Sequence, residues 1–167
     1  FLKYYGGNCQ NNLILTVCLG CVGRAQARAT TRAGASSIVI ECQESRIDFR
    51  IRTRYVDHKA YSIDEALQII EHSPTPVSVG LLGNAAELLP QFVARARTGG
   101  PRPHAVTDQT SAHDLINGYL PAGWTLSQWE QARGGDDGQR RELAQAAAAS
   151  CATHVHAMLD FHAMGVP

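Results

Sequence analysis

Three uninterrupted apolar runs constrain this chain more than any other feature. They are N-L-I-L-T-V-C-L-G from Asn12 to Gly20, S-I-V-I-E-C from Ser37 to Cys42 and V-S-V-G-L-L-G from Val77 to Gly83. None alternates polar with apolar residues. A strand with one face in water alternates, whereas a strand covered on both faces does not. These runs therefore predict strands inside a parallel sheet, and such a sheet needs helices on both faces. The segment after the first run, C-V-G-R-A-Q-A-R-A-T-T-R-A-G, supplies one: it is rich in good helix formers and has a stop signal at Gly34. Strand, glycine turn, helix and strand make a βαβ unit.

The rest of the chain continues the alternation. Ser45 to Lys59 sets four arginines among apolar residues and reads either as an amphipathic strand or as a short helix and turn. Ser62 to Glu71 reads as a helix, with Ser62 as cap and Glu65 completing a capping box. Pro74 and Pro76 break the chain. Asn84 starts the next helix, in which Pro90 is expected at a first helical position after a kink. Ala105 to Thr107 is a short fourth strand, and Gln109 to Gly123 has loop composition. A helix from Thr125 to Arg133, a solvated polar turn at Gly134 to Gly138 that includes Asp136 and Asp137, and an alanine-rich helix from Gln139 to Met164 complete the reading. The expected fold is α/β: a doubly wound, mostly parallel, Rossmann-like sheet flanked by helices, with a long C-terminal helix.

At 167 residues the chain can bury one sizeable core, so a single domain covering residues 1–167 is expected. Fifteen basic residues balance fifteen acidic ones. Neither nucleic acid nor an anionic membrane is expected as a partner, because both call for a basic surplus. No stretch reaches the ~20 apolar residues of a membrane span, and F-L-K-Y-Y-G-G-N does not resemble a signal peptide. Leu2, Tyr4 and Tyr5 look like part of a helix already under way, so the chain reads as an excerpt of a longer protein. Five cysteines, an odd count partly inside apolar runs, suggest free thiols in a reducing cytoplasm.

Four features carry possible chemistry. The turn from Gly20 to Gln26 sits where a buried strand becomes a helix. There, free N–H groups and the helix dipole attract a pyrophosphate, although a tight connecting turn is the plainer alternative. Glu41 ends the second strand about 20 residues past that turn, where a carboxylate meets ribose hydroxyls in dinucleotide folds; the alternative is a surface carboxylate. Cys18-Leu19-Gly20-Cys21 is a C-x-x-C that would suit thiol redox chemistry, set against one core thiol and one turn thiol. T-D-Q-T-S-A-H-D, Thr107 to Asp114, is a polar loop at the expected ligand edge of the sheet, or an ordinary hydrophilic loop. The histidines lack a ligand pattern. His154 and His162 roughly share a helix face, but surface or packing roles are expected and no metal site is.

Several segments, in order, resemble one family: I-E-C-Q-E-S-R-I-D-F-R, R-T-R-Y-V-D, G-N-A-A-E-L-L-P, V-T-D-Q-T-S-A-H-D and N-G-Y-L-P-A-G-W. The chain resembles urocanase, urocanate hydratase. That resemblance implies tightly bound NAD acting as an electrophile toward urocanate, to which water adds to give imidazolonepropionate in histidine degradation. It further implies a cytoplasmic homodimer. The family's cofactor contacts carry over to Cys21, Val22, Gly23, Glu41, Arg46, Asn84, Ala85, Gln109, Thr110, Ser111, Ala112, His113, Tyr119 and Leu120. The family turn reads G-G-M-G-G-A-Q, whereas here it is G-C-V-G-R-A-Q, with Cys21 and Arg24 at glycine positions. None of the five cysteines matches the family's catalytic cysteine, so no catalytic residue is assigned and the chain alone is expected to be inactive. Two alternatives accompany this reading: a cofactor-free urocanase-like module serving oligomerisation, and a C-x-x-C redox domain.

Overall fold

The computed structural model describes residues 9–20 and 22–167. The expected N-terminal helix at Leu2, Tyr4 and Tyr5 lies outside the described residues, as does Cys21. Five strands, β1 (Leu13–Val17), β2 (Ser36–Glu41), β3 (His58–Ala60), β4 (Ser78–Leu82) and β5 (Ala105–Asp108), form one sheet in the order β3-β4-β2-β1-β5. Every pairing is parallel. From β1 the chain steps to β2, passes over one position to β3 at the edge, comes back to β4 between β3 and β2, and then crosses to place β5 on the other side of β1. The connections therefore change direction between β1 and β5, and a crevice opens there beyond the carboxyl ends of the strands.

Helices among the described residues are α1 (Gly23–Arg32), α2 (Glu44–Arg52), α3 (Ile63–His72), α4 (Ala85–Arg97), α5 (Leu126–Gly134) and α6 (Asp137–Ala163). Alternate strand residues point to opposite faces. Leu15, Val17, Ile38, Ile40, Val79 and Leu81 meet α3, α4 and the end of α6 through Ala66, Leu89, Phe92 and Phe161. On the other face, Val39 meets Ala27 of α1 and Ile47 of α2. The three apolar runs are thus covered on both sides, as their composition requires. Val166 is buried beyond α6, and Pro167 accepts a backbone hydrogen bond from Val106 of β5.

Several local expectations are corrected. The segment 45–59 is a helix followed by a strand: α2, then the three-residue β3, so Ala105 begins a fifth strand and not a fourth. Pro90 lies inside α4 rather than at a helix start; the helix forgoes one backbone bond there and continues. Ser62 caps α3 through Glu65 N–H at 3.1 Å, but the Glu65 carboxylate reaches back to Tyr61 N–H at 2.8 Å, one residue short of a capping box. Asp136 is a helix cap, not a solvated turn: it and Gln139 form a full capping box, so α6 begins at Asp137. Thr125 caps α5 in the same way. His154 is buried and His162 is exposed, so the two do not share a face.

Candidate functional site

The cleft at the carboxyl edge spans about 430 Å³ of space between its atoms, open solvent at its mouth included. Its floor is Val17 and Cys18 of the β1 end and Ile40, Glu41 and Cys42 of the β2 end. One wall is Gly83, Asn84 and Ala85 at the start of α4. Arg46 of α2 stands opposite, and Thr110, Gly118, Tyr119 and Leu120 form the roof.

Each lining group is held by its own chemistry. Glu41 is 3% exposed. Its Oε2 accepts from Leu19 N–H at 2.8 Å, its Oε1 accepts from Gln43 N–H at 3.0 Å, and Arg46 Nη1 lies 3.6 Å from Oε2. The Leu19 carbonyl accepts from Arg50 Nε at 2.9 Å. The backbone of one residue of the β1–α1 turn, Leu19, is therefore held at its N–H and at its C=O by buried charged groups, which satisfies both where water does not reach. Glu41 is neither a surface carboxylate nor a free one; it shapes the turn and presents only its remaining lone pairs to the cleft.

Asn84 caps α4 by accepting from Ala86 N–H at 2.9 Å, and its amide donates to the Leu120 carbonyl at 2.8 Å. That second bond ties the helix start to the roof. The roof loop is closed by two aspartates. Asp108 accepts from Thr110 N–H and Oγ1, both at 2.7 Å, and Asp114 accepts from the N–H groups of Ile116 and Asn117 at 3.1 and 2.9 Å. Hydrogen bonds to the charged form hold the Asp114 carboxyl below its usual range. At Gly118 a Cβ would lie 2.1 Å from the Ser111 carbonyl oxygen, so the loop folds onto itself only with glycine there.

Tyr119 turns its hydroxyl away from solvent to His154 Nδ1, 3.1 Å away, and offers its ring to the cleft. Burial pushes the phenol pKa up and the His154 pKa down. His154 Nε2 is buried without a hydrogen-bond partner. Burial also raises both cleft thiols, Cys18 and, to about 12, Cys42, with Glu41 adding to each. They are thiols at neutral pH, which is the wrong state for a redox nucleophile.

The paired strands β1 and β5 are further linked by a polar triad. Thr107 Oγ1 donates to Thr16 Oγ1 at 2.8 Å, and Thr16 donates to Gln26 Oε1 of α1 at 2.7 Å. At Gly23 a Cβ would sit 1.9 Å from the Cys18 carbonyl oxygen and 3.6 Å from Gln109 Cβ, so the start of α1 is pressed against β1 beside the polar loop. Among the described residues from Val17 to Arg24, Cys18 takes left-handed backbone, φ 75°, whereas Arg24 is helical. The Arg24 guanidinium lies over the Tyr55 ring, 5.2 Å from its centroid, and Arg24 is not among the residues lining the cleft.

Of the residues expected to hold a cofactor, Glu41, Arg46, Asn84, Ala85, Thr110, Tyr119 and Leu120 meet at this cleft. Val22, Gly23 and Gln109 lie at the neighbouring helix start and loop. Ser111 and His113 are exposed on the loop, and Ala112 between them is half-buried. Outside the family segments, sequence reasoning did not single out Cys42, Gly83 and Gly118, nor Thr16; Gln26 and Asp108 stood only as members of the glycine turn and the polar loop, and Cys18 as half of the C-x-x-C, a redox thiol set against a core thiol. Gly83 and Gly118 carried a signal, each standing beside a motif residue. Among the described residues no group of three or more His, Cys, Asp or Glu side chains is placed to hold a metal ion.

A parallel sheet with this switch point, a helix start at the crevice and a cleft at the carboxyl edge define a Rossmann-like α/β domain. The chain belongs to the family described as the urocanase Rossmann-like domain, whose model matches residues 1–167. Among solved structures it is similar to a putative short-chain dehydrogenase from Shigella flexneri 2a str. 301 (16% identity, TM-score 0.47, 93% of this chain and 58% of that one). It is also similar to a putative short-chain dehydrogenase from Escherichia coli CFT073 complexed with NADPH (17% identity, TM-score 0.46, 93% and 55%). The chain thus spans a little over half the length of these structures. No helix among the described residues is long and apolar enough to cross a membrane.

Proposed function

We propose that this chain is the NAD-binding core of a urocanate hydratase. The observation that carries this reading is the convergence of Glu41, Arg46, Asn84, Thr110 and Tyr119, from four separate stretches of sequence, on one cleft. The donor set fits a dinucleotide. Arg46 is a half-exposed cation for a phosphate or ribose oxygen. The start of α1, kept close to β1 by Gly23, presents backbone N–H groups to a pyrophosphate. Tyr119 gives an aromatic face whose orientation His154 fixes. When bound, NAD supplies an electrophilic nicotinamide ring to the urocanate imidazole. Glu41 orders the turn, and the roof from Thr110 to Leu120 excludes water from the buried side. Urocanate as substrate, hydration to imidazolonepropionate, a homodimer and a cytoplasmic setting belong to the whole protein in this reading.

The cofactor-free alternative rests on side chains at two glycine positions of the turn. The stacking of Arg24 on Tyr55, clear of the cleft, argues against crowding at the one of these that is described. The test is calorimetric titration of the chain with NAD. Saturable one-to-one binding is expected, weakened about tenfold or more by Arg46→Ala and similarly by Tyr119→Ala. Arg46 is the better probe than Glu41, whose removal would also release the Leu19 and Gln43 N–H groups. No binding, or binding indifferent to both substitutions, would overturn the assignment.

A further inference from the structure

The outer face of α1 is a second recognition surface, distinct from the cleft. Between Arg24 and Arg54 the chain carries seven arginines against three carboxylates, Glu41, Glu44 and Asp48; from Tyr55 onward seven basic residues face twelve acidic ones. A neutral chain is therefore strongly divided, with its positive part in the α1–α2 layer. Arg24, Arg28 and Arg32 recur every fourth residue on α1, a helix without a single acidic residue. Spaced this way they repel one another. Arg24 and Arg28 both lie over the same Tyr55 ring, 5.2 and 5.8 Å from its centroid, and Arg28 donates to the Arg54 carbonyl. Among the described residues none of these three arginines is paired with a carboxylate, although Arg46, Lys59, Arg95 and Arg97 are.

Beside the cations runs an apolar stripe. Val22 is 63% exposed, and Ala25 and Ala29 are exposed at the following i+3 and i+7 positions. Ala25 and Ala29 floor a shallow groove whose sides are Arg28, Arg32 and Tyr55. Small floor residues let another backbone approach closely, and guanidinium forks on the rim suit carboxylates.

We propose that this groove docks an acidic helical segment of a protein partner, with carboxylates on Arg24, Arg28 and Arg32 and small apolar side chains on Val22, Ala25 and Ala29. The stripe is what favours protein over nucleic acid: a phosphate backbone would use the arginines and leave an exposed valine and two alanines without a role. The inference does not rest on the cofactor reading.

The test uses the 167-residue chain and a labelled synthetic alanine-rich helix with Glu at i, i+4 spacing, followed by fluorescence anisotropy. The same peptide with Gln for Glu, inorganic phosphate and a short DNA duplex serve as comparators. Saturable binding of the Glu peptide is expected, about tenfold tighter than the Gln peptide and weaker in salt. The pair Arg28→Glu/Arg32→Glu, half-buried and exposed, should abolish it, and Ala29→Leu, which fills the groove floor, should weaken it, while Arg140→Glu/Arg141→Glu on α6 should leave it intact. Absence of binding, equal losses in both charge-reversed pairs, or duplex DNA competing better than the peptide would each overturn the proposal. Circular dichroism of the variants, expected to match the parent, separates lost docking from lost fold.

Discussion

The layer formed by α3, α4 and α6 closes one face of the sheet with Leu89, Phe92, Val93, Ala157 and Phe161, whereas α1 and α2 close the other with little more than Ala27, Ile47 and Val56. The first layer is held mainly by apolar area, which is non-directional and scales with what is removed from water. The second uses directed bonds: Glu41 and Arg50 on the Leu19 backbone, and Gln26 on Thr16. Apolar packing tolerates small adjustments of position, but a hydrogen bond fixes an atom. The layer with the smaller core is thus the one that sets the β1–α1 turn in place, and the layer with the larger core anchors the fold against which the turn is set.

Truncating the anchor is the largest way to break this contrast. Phe161 is fully buried at the end of α6, against α4 and the sheet. Phe161→Ala should cost about 3–5 kcal/mol in denaturant unfolding, because the lost transfer energy adds to that of a cavity. A cost below about 1 kcal/mol would mean that α6 is dispensable and the layers are not unequal.

Overfilling the smaller core is the next test. Gly80 of β4 faces α2, and a Cβ there would lie 2.7 Å from Ile47 Cγ2 and 3.5 Å from Val56 Cγ1. Ile47 is β-branched and fully buried, so it has little room to give. Gly80→Ala should destabilise by about 1–3 kcal/mol, although alanine is ordinarily better than glycine in a strand. A neutral result would show that the α1–α2 layer is loosely packed rather than close-fitted.

The same inequality explains what the sequence disclosed. β1, β2 and β4 were legible because burial on two faces leaves an unbroken apolar run. β3 was not: His58, Lys59 and Ala60 include one buried residue, and they are a strand only because β4 offers its edge. Glu41 was legible by its place at a strand end and Asn84 by its place at a helix start, while their partners were not, since the bonds to Leu19 and Leu120 join residues 22 and 36 apart. The exposed polar turn ending at Asp136 looked solvated, because a cap and a turn draw on the same residue types. Cys18 was read as a redox or a core thiol, and neither its C-x-x-C spacing nor its apolar run carries a φ angle; its backbone conformation brings its carbonyl under Gly23.

Cys18 gives the finest test. It occupies left-handed backbone at φ 75°, where a side chain costs roughly 1–2 kcal/mol relative to glycine. Its thiol returns part of that by accepting the Gly20 N–H at 3.2 Å. Cys18→Ala keeps the strained backbone and gives up the sulfur contact; Cys18→Gly gives up the contact and relieves the backbone. The glycine variant should therefore be the more stable of the two by about 1 kcal/mol in thermal or denaturant melts. At an ordinary strand end the order reverses, with alanine ahead by about 0.5–1 kcal/mol. Only the sign has to be measured. Alanine ahead of glycine would mean that the β1 end relaxes out of the left-handed region, and that the grip of Glu41 and Arg50 on Leu19 does not fix the turn.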